Sequence, residues 1–102
     1  MISKKEIDDL REYLNYNAVP DLHNSDWYIL NGLEVSIDAE CGVVFVYLTR
    51  DKWLIACTKF MPASKDNPHK VIRLDFDRLM RLICGGEMAY NNIENERILD
   101  EL

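Results

Sequence analysis

Trp27-Tyr28-Ile29-Leu30-Asn31-Gly32-Leu33-Glu34-Val35-Ser36-Ile37-Asp38 is the stretch from which the fold can be read. Asn followed by Gly tolerates the positive φ angles of a two-residue type I′ turn, whose twist matches that of paired strands. The runs on either side are rich in β-branched and aromatic residues, so the pattern predicts a hairpin of strands 27–30 and 33–38. In the second strand Leu33, Val35 and Ile37 share one face, and Glu34, Ser36 and Asp38 take the other.

Toward the C-terminus the strand pattern continues. Ala39-Glu40-Cys41-Gly42 makes the next turn, with Gly42 in the left-handed position. Val43-Val44-Phe45-Val46-Tyr47-Leu48 is apolar at every position, so this strand is expected to be central and covered on both faces. Arg50-Asp51 reverses the chain into a strand over Lys52–Thr58, where Trp53, Ile55 and Cys57 alternate with Leu54 and Ala56. Met61 to His69, with two prolines, reads as a long exposed loop. Val71-Ile72-Arg73-Leu74 is a last short strand. Asp75 then caps a helix whose stripe is Phe76, Leu79, Met80 and Ile83, and Gly85-Gly86 stops it. Glu87 to Leu102 reads as a weaker terminal helix.

Upstream of the hairpin, Ser3 and Glu6 form a capping box, with Ile2 and Ile7 as its hydrophobic staple. Ile7, Leu10 and Leu14 continue the apolar stripe, predicting a helix from about Ser3 to Asn15 with Lys5, Asp8, Asp9 and Glu12 on its solvated side. Asn15 to Asp26 reads as a loop. No repeat or internal boundary interrupts residues 1–102, which are read as a single α+β domain. Its expected architecture is an N-terminal helix, a four- to five-stranded antiparallel meander, and one or two C-terminal helices packed on it.

The 102 residues include 12 Lys+Arg and 18 Asp+Glu, a net charge of −6, and 48% are hydrophobic. A packed core is therefore within reach. The negative balance argues against tracking a phosphate backbone or an anionic membrane. The acidic start lacks the apolar region of a signal peptide, and no stretch approaches the ~18 apolar residues of a spanning helix, so a cytoplasmic home is expected. Cys41, Cys57 and Cys84 are odd in number and show no paired spacing, which fits neither a disulfide framework nor a zinc site. The four glycines are all explained by turns or caps, leaving no phosphate-binding loop. No cofactor, metal or catalytic residue is predicted.

Charge is uneven along the chain. Residues 1–26 carry −3, 27–50 carry −2, 51–86 carry +3 and 87–102 carry −4. In one reading Lys52, Lys59, Lys65, Lys70, Arg73, Arg78 and Arg81 lie opposite the acidic terminal helices and neutralise them. In the other, the acidic helices form a face that docks on a basic partner. A cysteine enzyme would need Cys41 with His23 or His69 as base, but Cys41 stands beside Asp38 and Glu40 rather than in an electropositive pocket. Cys57 and Cys84 have apolar neighbours and read as small buried hydrophobes. Strands apolar on both faces leave two possibilities. Either the long loop and terminal helix cover the second face, or a hydrophobic surface including Tyr28, Tyr47 or Trp53 stays exposed.

These features predict a small acidic, non-enzymatic domain that binds and occludes a partner protein with a basic surface, as inhibitors, immunity factors or chaperones do. The expected contact residues are Asp8, Asp9, Glu12, Tyr28, Tyr47, Trp53, Glu94, Asp100 and Glu101. Pairing of two copies through the apolar sheet face is a further possibility. The alternatives are a nucleic-acid-associated role through the basic segment 51–86, with Trp53, Lys52, Lys59, Phe60 and Arg73, and the Cys41-dependent enzyme.

Overall fold

The computed structural model describes residues 2–62 and 64–101, with side chains up to Ile93. The first helix, α1, spans Lys4–Asn17 and begins with the full capping box. The Ser3 hydroxyl accepts from the Glu6 amide at 3.1 Å, and the Glu6 carboxylate accepts from the Ser3 amide at 2.9 Å. Ile7, Leu10 and Leu14 are its buried stripe.

Six strands follow, β1 (Val19–Pro20), β2 (Trp27–Leu30), β3 (Leu33–Asp38), β4 (Val43–Leu48), β5 (Leu54–Cys57) and β6 (Ile72–Arg73), ordered in the sheet as in the chain. The hairpin turn has Asn31 at φ +49° and Gly32 at φ +81°, as the type I′ reading requires. Three expectations need correction. The segment expected as a loop over 15–26 contains β1, which pairs antiparallel with β2. A two-residue strand has no periodicity to read, and proline is tolerated there because β1 is an edge. The fourth predicted strand is shorter than 52–58, because Lys52 adopts φ +64° and belongs to the turn. Finally, β6 runs parallel to β5, since the long connection 58–71 returns to the start of β5 before pairing.

The second helix, α2 (Phe76–Glu101), is capped by Asp75, whose carboxylate accepts from the Arg78 amide at 2.8 Å. It breaks at Gly86, which has φ +69° and ψ −154°, at the predicted stop. Such a conformation is essentially confined to glycine. A Cβ there would meet the Asn31 carbonyl oxygen and Cβ at 2.6 Å each. The Glu87 amide donates to that same Asn31 carbonyl at 3.0 Å. The kink is thus where α2 seats on the β2–β3 turn.

The core lies on one side of the sheet. Tyr28, Leu30, Leu33, Val35, Ile37, Val44, Val46, Leu48 and Ala56 point inward and pack with Ile7, Leu10 and Leu14 of α1 and Leu79, Leu82, Ile83 and Tyr90 of α2. Every buried side chain described in either helix belongs to this one cluster. β4 is central in the ladder as predicted, and its second face is partly covered: Val43 is buried there, and Phe45 and Tyr47 are half-buried. Among the described residues, both helices pack on the same face.

Candidate functional site on the helix-free face of the sheet

Strand alternation and register place Ile29, Glu34, Tyr47 and Leu54 in one row of the second face, and Trp27, Ser36, Phe45, Cys57 and Arg73 in the next. None of these side chains contributes to the core cluster. Trp27, Ile29, Phe45, Tyr47 and Leu54 are each half-buried.

Glu34 organises this surface. It is only 5% exposed although no helix lies over it. Its Oε1 accepts from the Trp27 indole Nε1 at 3.0 Å, and its Oε2 accepts from the Lys52 ammonium. The indole stacks on Tyr47 with ring centroids 5.2 Å apart and planes inclined by 17°. A buried carboxylate is tolerable only when its oxygens are satisfied, and here one indole and one cation do so. The left-handed backbone of Lys52 in the β4–β5 turn belongs to the same arrangement. Burial pushes the Tyr47 phenol above its ordinary pKa. Two residues past the end of β5, the Lys59 ammonium sits 5.7 Å from the Phe45 ring centroid.

The predicted contact residues do not form one surface. Tyr47 lies on the helix-free face, whereas Tyr28 points into the core and is 8% exposed. Trp53 is exposed in the turn before β5. Asp8, Asp9 and Glu12 are exposed on α1, on the opposite side of the sheet. Asp8 pairs with Arg11 at 3.8 Å and Asp9 with Lys5 at 3.3 Å, within their own helix. The side chains of Glu94, Asp100 and Glu101 lie outside the described residues. Sequence reasoning missed Trp27, Ile29, Phe45, Leu54 and Glu34. An acid in a strand beside a tryptophan seven residues earlier is the one signal that could have found the last.

Among the described residues, no basic residue of 51–86 forms an ion pair with an acid of either helix, and most acids of the terminal helix lie outside the described side chains. The described ion pairs between elements are Arg11 with Asp26, Lys52 with Glu34, Arg50 with Glu87 and His69 with Asp51. Arg11 holds Asp26 through two hydrogen bonds, at 2.6 and 3.0 Å, and this contact raises the guanidinium pKa. Only Arg50, just outside the basic segment, reaches α2, at 2.8 Å.

The cysteines do not gather with the histidines. Cys41 is exposed, and a hydrogen bond from its thiol to Asp38, with the negative charge of that carboxylate, pushes its pKa up. Cys57 is buried as expected. Cys84 is a correction: it is exposed, beside Tyr13 of α1, because the buried stripe of α2 runs through Leu79, Leu82 and Ile83 instead. His23 is exposed, and its backbone amide donates to Asp21 at 2.7 Å. His69 Nε2 lies 3.0 Å from Asp51 Oδ2, and its Nδ1 lies 3.5 Å from the Tyr90 hydroxyl. Among the described residues no three His, Cys, Asp or Glu side chains gather as a metal site, and no helix is long and apolar enough to cross a membrane. Compared with known protein families, curated proteins and solved structures, the chain matches none.

Proposed function

We propose that this chain is a protein-binding domain that docks a partner on the helix-free face of its sheet and has no catalytic machinery of its own. One observation carries the reading. Trp27, Ile29, Phe45, Tyr47 and Leu54 stand together on a sheet face that no described helix covers. Apolar patches rimmed by polar groups mark protein interfaces, and tryptophan and tyrosine are the residues that most often anchor them. The Trp27–Tyr47 stack is held by the bond to Glu34, so little side-chain freedom remains to be lost on binding. The raised pKa of Cys41 also weighs toward a non-enzymatic role, since a nucleophilic cysteine needs the opposite shift.

The overall charge of −6 favours a basic partner, whereas at the face itself Lys59 and Arg73 stand with Asp38, so the apolar and aromatic side chains rather than charge anchor the docking. Occlusion of that partner, as an inhibitor, immunity factor or chaperone achieves it, is the mode we infer. Photo-crosslinking in native lysate tests the reading, with the reactive amino acid placed at Ile29 or Phe45 on the face, or at exposed Met88 on α2. A defined protein adduct from the face positions, competed away by excess unlabelled wild-type chain but not by the Phe45→Glu variant, is expected. Adducts from Met88 alone, or none from the face, would overturn it.

A further inference from the structure

The connection between β5 and β6 builds a second feature, which meets the strands of the proposed docking face at Arg73 and, through Asn67, at the Leu54 backbone. A groove of about 550 Å³ opens between this loop and β6. Phe60, Met61, Pro68 and Val71 give it apolar walls, Lys70 and Arg73 stand in its lining, and no carboxylate does. In a chain of net charge −6 that is an unusual concentration of one sign. Neither Lys70 nor Arg73 has a carboxylate within 4.0 Å among the described residues.

The outer wall is pinned to the rest of the fold. Asn67 Nδ2 donates to the Leu54 carbonyl at 3.0 Å, and the His69 amide donates to Asn67 Oδ1 at 3.2 Å. The His69 ring pairs with Asp51 and meets Tyr90 edge-on with centroids 6.3 Å apart. Phe60, by contrast, is 75% exposed at the mouth. The groove is therefore preformed and of the size usual for ligand clefts.

We infer that this groove binds an acidic, apolar peptide segment of a protein, its carboxylates paired with Lys70 and Arg73 and its apolar side chains against Phe60 and Met61. Complementarity of sign selects the acid, and the apolar walls select a peptide over a polyanion. A single-stranded nucleic acid needs successive aromatic platforms along a basic track, whereas the groove has one exposed ring in an acidic molecule.

Fluorescence anisotropy tests this with a fluorescein-labelled peptide alternating Glu with Leu and Phe. Saturable binding is expected, weakened roughly tenfold or more by Lys70→Glu with Arg73→Glu, as the loss of two partly exposed charge contacts implies. Phe60→Ser should weaken it as well. Lys4→Glu on α1 and Phe45→Glu on the docking face should leave it unchanged, which separates this site from the face proposed above. The inference is overturned by no binding, by equal binding of a peptide with Lys in place of Glu, by indifference to the charge reversals, or by stronger binding of a labelled single-stranded oligonucleotide.

Discussion

Glu34 shows how one residue can be at once a liability and an organiser. A carboxylate on a strand face ordinarily seeks water, but here it is 5% exposed, and the cost is offset by the indole N–H and the Lys52 ammonium. Lys52 is itself 66% exposed, so the ionic part of the pair is screened and contributes about 0–1 kcal/mol. The indole hydrogen bond is the better shielded half. Glu34→Ala should therefore lower stability by about 1–3 kcal/mol in urea denaturation, because it strands the Trp27 N–H. Glu34→Gln keeps an acceptor and should cost less than half as much. Equal losses for the two substitutions would show that the charge, rather than the indole bond, holds the face together. The alternation of β3 made Glu34 legible as a residue of the outer face. Its burial was not, because it depends on a tryptophan from β2 and a lysine from the next turn.

At the scale of elements, strands whose sequences alternate or end in strong turns sit where the pattern put them. β2, β3 and β4 fall on the predicted residues because Asn31-Gly32 and Gly42 supply positive φ at the joints. β1, two residues long, exists because β2 offers an unpaired edge, and no local signal announces it, whereas β6 falls inside the short strand read at 71–74 and pairs over only two residues of it. The break in α2 combines both kinds of cause. Gly85-Gly86 marks it in the sequence, but the contact of Gly86 with Asn31 makes it a docking point between helix and hairpin. Gly86→Ala combines a backbone conformation foreign to L residues with a clash against main chain. A loss of about 3 kcal/mol or more in thermal or urea unfolding is the expected outcome. An unchanged midpoint would mean that α2 does not need its kink to seat on the turn.

For the molecule as a whole, the balance of −6 conceals local pairing, and its consequences appear on the acid side. The slight desolvation of Asp51 pushes its carboxyl up, but the Trp53 amide, His69 and Arg50 outweigh this and hold it below its ordinary 3.8. Asp21 is held low chiefly by the backbone amide of His23, with that of Asn24 adding to it. A carboxyl depressed in the folded state stabilises it above the unfolded value, and that contribution is lost as pH falls through the folded one. Stability should accordingly decline below about pH 3.8, and Asp51→Asn should flatten part of the decline in urea midpoints followed across that range. A slope untouched by the substitution would remove Asp51 from the account. The sequence by itself determined the α+β class, the capped first helix, the central hairpins and the stop at Gly86, since each rests on periodicity or on backbone preferences a few residues long. Only the tertiary structure decided that both helices share one side of the sheet. With that choice it separated Asp8, Asp9 and Glu12 from Tyr47, sank Tyr28 in the core, and left Trp27 and Phe45 on an open face. Alternation specifies that a strand has two faces, but which one is buried depends on where distant helices find the larger apolar area.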